Sequence, residues 1–133
     1  MKKLILVLGL LPMLILTGCL GDDPALENDF EDDVLALQAS LDLVNATAGQ
    51  SVCADGFTCK FIALGAKACG GPKSYLVYST SIDTDNLEAM VAAYNQKEKE
   101  FNTKWDIVSD CALVVAPTGT TCENGKCVAV YDN

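Results

Sequence analysis

Histidine is absent from all 133 residues, which removes the commonest general base and metal ligand near neutral pH. Ser-His-Asp and Cys-His nucleophilic sites go with it. Positive charge is scarce, with 9 Lys+Arg against 18 Asp+Glu and a formal net charge of −9. Such a chain is a poor match for nucleic acid, whose phosphates demand clustered Lys and Arg. No dinucleotide fingerprint and no phosphate loop occur. No two cysteines have C-x2-C spacing, so neither a zinc pair nor a thioredoxin-like redox motif is present. The length allows a single domain, since domains mostly run ~100–150 residues. What is there is a small acidic chain with seven cysteines.

The amino-terminal segment reads as an address. Lys2 and Lys3 precede Leu4–Leu16, thirteen residues that are apolar except for Gly9 and Pro12. That run is too short for a bilayer, which needs ~20 residues, and fits the apolar region of a signal peptide. It ends at Leu16-Thr17-Gly18-Cys19, which resembles the lipobox of bacterial lipoproteins. The resemblance implies cleavage after residue 18 and acylation of Cys19, with two or three chains anchoring the protein stably at ~0.8 kcal/mol per buried CH₂. Leu20 in place of an Asp implies the outer membrane, on its periplasmic or its outer side. The expected mature chain, 19–133, keeps seven lysines and all eighteen acids, for a net charge of −11.

Residues 19–33 form an acidic leader. Seven of the twelve residues from Asp22 to Asp33 are acidic and none is basic. A solvated, self-repelling spacer is the first reading and a surface-sorting signal the second. Calcium is a distant third, because Asp-x-Asp-x-Asp-Gly spacing is missing. Residues 34–133 are expected to form one disulfide-stabilised domain.

Leu26, Phe30, Val34, Leu37, Leu41 and Val44 repeat every three or four residues and predict a helix from about 24 to 45. A rival two-residue alternation runs through Leu35, Leu37, Ala39, Leu41 and Leu43. Strands are expected near 59–64, 74–79, 111–116 and 126–131. Asp85-Asn-Leu-Glu88 has the form of a capping box opening a second helix of about 85–105. Its stripe is Leu87, Val91, Tyr94, Phe101 and Trp105, interrupted by Glu98. Asn124-Gly125 is the preferred pair for a tight hairpin turn over 120–131. The fold expected is α+β: a mostly antiparallel sheet with one packed helix, preceded by the acidic helical leader.

Lipidation of Cys19 leaves six cysteines, at 53, 59, 69, 111, 122 and 127, an even number suited to a disulfide framework. Six cysteines allow fifteen pairings. Hairpin register favours Cys122–Cys127, the Asp55-Gly56 turn favours Cys53–Cys59, and Cys69–Cys111 remains. The last encloses the second helix and is worth ~4 kcal/mol by loop-closure entropy, against ~2 for the hairpin bridge.

Cys69-Gly-Gly-Pro-Lys-Ser-Tyr-Leu-Val-Tyr-Ser79, Tyr94-Asn95, Ser109-Asp110-Cys111 and the closing Cys-x4-Cys together resemble small Cys-rich bacterial envelope lipoproteins. The resemblance implies a family and no activity.

No catalytic residue, cofactor or metal is expected. The adjacent Lys73 and Ser74 would point to opposite faces of a strand. Gly70-Gly71-Pro72 reads as a tight turn before an anion cradle, and Gly65 as an ordinary loop glycine. The function expected is a lipid-anchored, non-enzymatic module that binds a protein partner and no nucleic acid. Inhibition of a protease or lysozyme-type hydrolase is a narrower alternative, carried by the 53–59 segment or the Gly-Gly-Pro loop. An enzyme with an unrecognised site is the alternative of another class. Lys60, Lys67 and Lys73 are the candidate binding residues. An exposed aromatic or lysine in a disulfide-framed loop favours binding, and a cleft with paired acids favours catalysis.

Overall fold

The computed structural model describes residues 24–132. The signal segment, Cys19 and the first acids of the leader lie outside the described residues. No helix among the described residues is long and apolar enough to cross a membrane.

The first element, α1 (Pro24–Gly49), is a helix of 26 residues. Burial shows why the helical period prevails over the alternation. Val44 and Ala48 are buried, and Leu37 and Leu41 pack against the core, whereas Leu35 is 66% and Leu43 61% exposed. The alternating set is therefore split between two faces. The boundary at 33/34 falls inside α1, and the end of the leader is docked: Phe30 stacks edge-on against Trp105, with ring centroids 5.1 Å apart. The last turn of α1 has no basic residue of its own. The Lys126 ammonium, 77 residues away, donates to the Gly49 carbonyl at 2.9 Å and supplies the positive charge that a helix carboxyl end favours.

Strands β1 (Cys59–Leu64) and β2 (Ser74–Ser79) pair antiparallel, with Cys59 opposite Ser79 and Leu64 opposite Ser74. Helix α2 (Thr84–Lys104) follows. Its cap is Asp83, whose carboxylate accepts from the Asn86 N–H, and not Asp85 as expected. The helix therefore begins two residues earlier than the capping-box motif indicates. The helix ends at Asp106, left-handed at φ 46°, with the Ile107 N–H donating to the Asn102 carbonyl. That closing bond leaves no orphan carbonyl at Asn102.

Strands β3 (Gly119–Glu123) and β4 (Lys126–Val130) form the expected hairpin about Asn124-Gly125, both with positive φ. The molecule is α+β, but its strands form two separate two-stranded sheets and not one sheet of four. The fourth expected strand, 111–116, is absent. Its residues carry no regular secondary structure, and Leu113 is 88% and Val115 65% exposed. An apolar run becomes a strand only where a sheet edge is offered to it. Here a side chain, the Lys67 ammonium, takes the Ala112 carbonyl at 2.7 Å.

The core lies wholly in the first half of the fold. Val44, Ala48, Leu64, Tyr78, Leu87, Val91 and Tyr94 are its buried hydrophobic residues. Phe101 and Trp105, expected to share this stripe, are only half-buried and pack on Phe30 of α1.

Disulfides attach the carboxyl-terminal hairpin. They join Cys53 to Cys122 and Cys59 to Cys127, with Cα atoms 5.8 and 5.6 Å apart. This corrects the expected Cys122–Cys127 and Cys53–Cys59 bridges. The expected register is present, since Cys122 and Cys127 are cross-strand partners. Directly opposite residues share one face of a hairpin. That face meets the 53–59 segment, where the Cys53 N–H donates to the Gly125 carbonyl at 2.8 Å and the Thr120 hydroxyl to the Cys59 carbonyl at 3.2 Å.

Candidate functional site

A row of polar side chains on α2 shapes the corner of the molecule that carries the remaining cysteines. Asn95, Glu98 and Asn102 recur at helical spacing and grip the backbone that leaves β1. Asn95 donates to the Ala63 carbonyl and accepts from the Gly65 N–H. Glu98, 2% exposed, accepts from the Ala66 N–H at 2.7 Å, and Asn102 donates to the Ala66 carbonyl at 2.8 Å. The Lys73 ammonium at 2.5 Å and the Tyr94 hydroxyl at 3.2 Å complete the shell of Glu98. A buried carboxylate is tolerable only when paired and hydrogen-bonded in this way.

Gly65 is accordingly not an ordinary loop glycine. It sits at φ 81°, and a Cβ there would lie 2.9 Å from both the Glu98 carboxylate and the Lys73 Cβ. In the sequence Glu98 has the form of an interruption in an apolar stripe, which conceals the row. The usable signal was that 95, 98 and 102 fall on the same face as Leu87, Val91 and Tyr94.

The gripped backbone continues into a tight turn. The Lys67 N–H donates to the Gly71 carbonyl and the Gly70 N–H to the Lys67 carbonyl. Gly70 and Gly71 have φ of 100° and 81°, values that favour glycine. The Gly70 N–H is spent inside the turn, consistent with the turn reading. Cys69 is exposed at its tip, beside Cys111 of the 107–117 segment.

Both are free thiols, which corrects the expected Cys69–Cys111 bridge. They nevertheless lie close in the fold, with Cys69 held against the backbone just before Cys111. The Cys69 sulfur contacts the Asp110 carbonyl at 3.1 Å, and the Ser109 hydroxyl donates to that sulfur at 3.5 Å. Hydrogen bonds from Cys111 and Ser109, with the nearby Lys67 charge, hold the Cys69 thiol below its ordinary pKa. The same contact with Cys69 holds Cys111 above it. An open groove of about 610 Å³ flanks the pair, lined by Lys67, Gly70, Lys99, Asn102, Asp106 and Val108 among others.

The three lysines expected as candidate binding residues are each ion-paired. Lys60 is bound to Glu88, Lys67 to Asp110 at 2.8 Å and Lys73 to Glu98. The Lys67 charge and its hydrogen bond hold Asp110 below the usual carboxylate range, and Lys60 with Tyr78 does the same to Glu88. These residues tie elements together. Exchanging Lys73 for an acid would set two carboxylates against each other at a buried position.

At the opposite end, the loop between Cys53 and Cys59 turns at Asp55-Gly56, with Gly56 at φ 90°. Each end of the loop is fixed to the β3–β4 hairpin by a disulfide. Phe57, held by its N–H to the Ala54 carbonyl, is 44% exposed beside the turn, and Val52 is 45% exposed just before the loop. The sulfurs of Cys53, Cys59 and Cys127 lie within 4.8 Å of one another, a spacing that a metal ion could bridge. All three are spent in disulfides, and metal ligation requires thiolates.

No family model matches the chain, and no curated protein or solved structure matches it.

Proposed function

We propose that the protein is a lipid-anchored component of a bacterial envelope whose folded part binds a protein partner without catalysing a reaction. The observation that carries the binding half is the 53–59 loop. It is framed at both ends by disulfides and presents a partly exposed aromatic ring. A loop held in this way has little conformational freedom left to lose on binding, which lowers the cost of association. Aromatic residues are also the side chains that most often dominate binding energy.

The anchoring half rests on Lys2, Lys3, the apolar run and Leu16-Thr17-Gly18-Cys19. Phe30, which packs on Trp105, stands only eleven residues after Cys19, so the folded part would sit close to the lipid surface. Outer-membrane placement rests on Leu20 alone. Inhibition of a protease or lysozyme-type hydrolase is the narrower form of this reading, since a rigid loop with one protruding ring suits insertion into an enzyme cleft.

Metabolic labelling with a palmitate analogue tests the anchor. The wild type takes up label and Cys19→Ala accumulates unlabelled precursor; an unlabelled wild type refutes it. A photo-crosslinking residue at position 57 in living cells tests the loop. A discrete crosslinked species, lost when the residue is moved to position 100 on the exposed face of α2, is expected. Equal crosslinking at both positions refutes a specific loop contact.

A further inference from the structure

We propose that Cys69 and Cys111 form a thiol–disulfide exchange site, Cys69 attacking and Cys111 resolving, that accepts a small peptide disulfide from the groove beside them. This does not depend on the binding role of the 53–59 loop, but it replaces the non-catalytic part of that reading, since the exchange is itself a reaction.

Three observations converge. The two thiols are exposed, and the Cys69 thiol donates at 3.1 Å to the carbonyl of Asp110, the residue before Cys111, whereas the other four cysteines of the described domain are closed into bridges. The flanking backbone is already fixed without a bond between them. Lys67 holds Asp110 at 2.8 Å and the Ala112 carbonyl at 2.7 Å, and the Cys69 N–H donates to the Ser109 hydroxyl at 3.3 Å. Opening or closing the bond therefore leaves both segments in place. Finally, the pair is asymmetric. Cys69 receives a hydrogen bond from the Ser109 hydroxyl at 3.5 Å and lies near the Lys67 ammonium, both of which favour its thiolate, the form that attacks disulfides.

The chemistry balances as follows. The Cys69 thiolate attacks one sulfur of the incoming disulfide. The disulfide bond breaks, one thiolate leaves, and Cys69 carries the other half as a mixed disulfide. Cys111 then loses its proton and attacks the Cys69 sulfur, expelling the second thiolate and leaving a Cys69–Cys111 bond. Two protein thiols are oxidised and one disulfide is reduced to two thiols, which take up the two protons released. A dithiol reductant reverses the sequence. Lys99, which has no acidic partner within salt-bridge distance among the described residues, and Asp106 place one charge of each sign along the groove. A zwitterionic peptide disulfide such as oxidised glutathione matches that arrangement.

The test uses the full chain carrying Cys19→Ser, so that only six cysteines react. Mild dithiol treatment followed by alkylation and peptide mapping is expected to label Cys69 and Cys111 while both hairpin bridges stay closed. Oxidised glutathione is then added. The wild-type pair should lose both thiols, retain no glutathione and release two equivalents. Cys111→Ser should stop with one glutathione on Cys69, and Cys69→Ser should react about tenfold more slowly. Lys99→Glu should slow the reaction with oxidised glutathione but not with uncharged hydroxyethyl disulfide. Opening of either hairpin bridge before the Cys69/Cys111 pair would overturn the proposal. So would equal rates for the two single-cysteine variants, or glutathione retained by the wild type. Equal slowing of both oxidants by Lys99→Glu would overturn the role of the groove.

Discussion

Two halves of this molecule are held together by different physics. Among the described residues, the α1–β1–β2–α2 half contains the buried hydrophobic core, from Val44 to Tyr94. The β3–β4 hairpin contains no buried residue at all. An isolated two-stranded hairpin is marginal in water. This one is kept by two covalent bonds to the 53–59 loop and by the Lys126 ammonium on the end of α1. The difference teaches where disulfides are needed. A chain of this size can build one small core, and the element that the core cannot reach is attached by sulfur. The hairpin in turn braces the loop that carries Phe57.

The largest effect expected from breaking this comparison comes from the bridges. The two span almost the same chain interval, with separations of 69 and 68 residues, so they are not additive. With one in place, the other closes only the short ring formed by 53–59 and 122–127. Removing Cys59 and Cys127 together should cost ~3 kcal/mol, and removing the remaining pair a further ~4. Urea unfolding measures both steps. Without either bridge, hydrogen exchange should show the hairpin amides unprotected while α2 remains protected. Simultaneous loss of both regions would mean that the halves are not separate.

Leu87 is fully buried in the other half, and Leu87→Ala should cost ~3–4 kcal/mol. It should lower the urea midpoint with both bridges still closed by mapping. A cost below ~1 kcal/mol would place Leu87 outside the core.

Gly65→Ala should cost ~2 kcal/mol, because the new methyl meets both Glu98 and Lys73 at a positive φ. The same change at Gly56, which also has positive φ but open space around its Cβ, should cost less. The difference between the two variants measures the contribution of the polar row on α2.

The smallest effect is in alkali. Burial, aided by Glu88 next to Tyr78 and by Glu98 next to Tyr94, pushes both phenols up to about 12. Their value in the unfolded chain is ~10. The folded state therefore holds these protons more tightly. The contribution is complete below ~10 and is lost as the pH rises towards about 12. Phenolate absorbance should rise for these two tyrosines only as the α2 signal is lost. Ionisation of both near 10 in the folded protein would contradict their burial.

The sequence made the regular elements legible because each carries its own local signal. The 3.6-residue period gave α1, β-branched and aromatic runs gave β1 and β2, and Asn124-Gly125 placed the second hairpin to the residue. What it concealed depended on what lies opposite. Cys122 and Cys127 were correctly set face to face, yet neither hairpin geometry nor spacing reveals that a second segment crosses that face. Val114 and Val115 look like strand residues, yet neither two-stranded sheet takes them up as a third strand. Glu98 looks like a break in an apolar stripe until the β1–β2 connection is laid across it. The cysteine pair at 69 and 111 was legible as a pair, through elimination, but its openness was not.

The comparison of the two halves stands or falls on the connectivity. Asp55 lies between Cys53 and Cys59, and Lys126 between Cys122 and Cys127. Cleavage at Asp55 and after every lysine, Lys60 and Lys104 included, under non-reducing conditions puts Cys53, Cys59, Cys122 and Cys127 on four different peptides and so separates every alternative by mass. The account predicts that the peptide holding Cys53 is joined to the one holding Cys122, and that of Cys59 to that of Cys127. Recovery of Cys53 joined to Cys59, with Cys122 joined to Cys127, would leave the hairpin without a covalent attachment and contradict it.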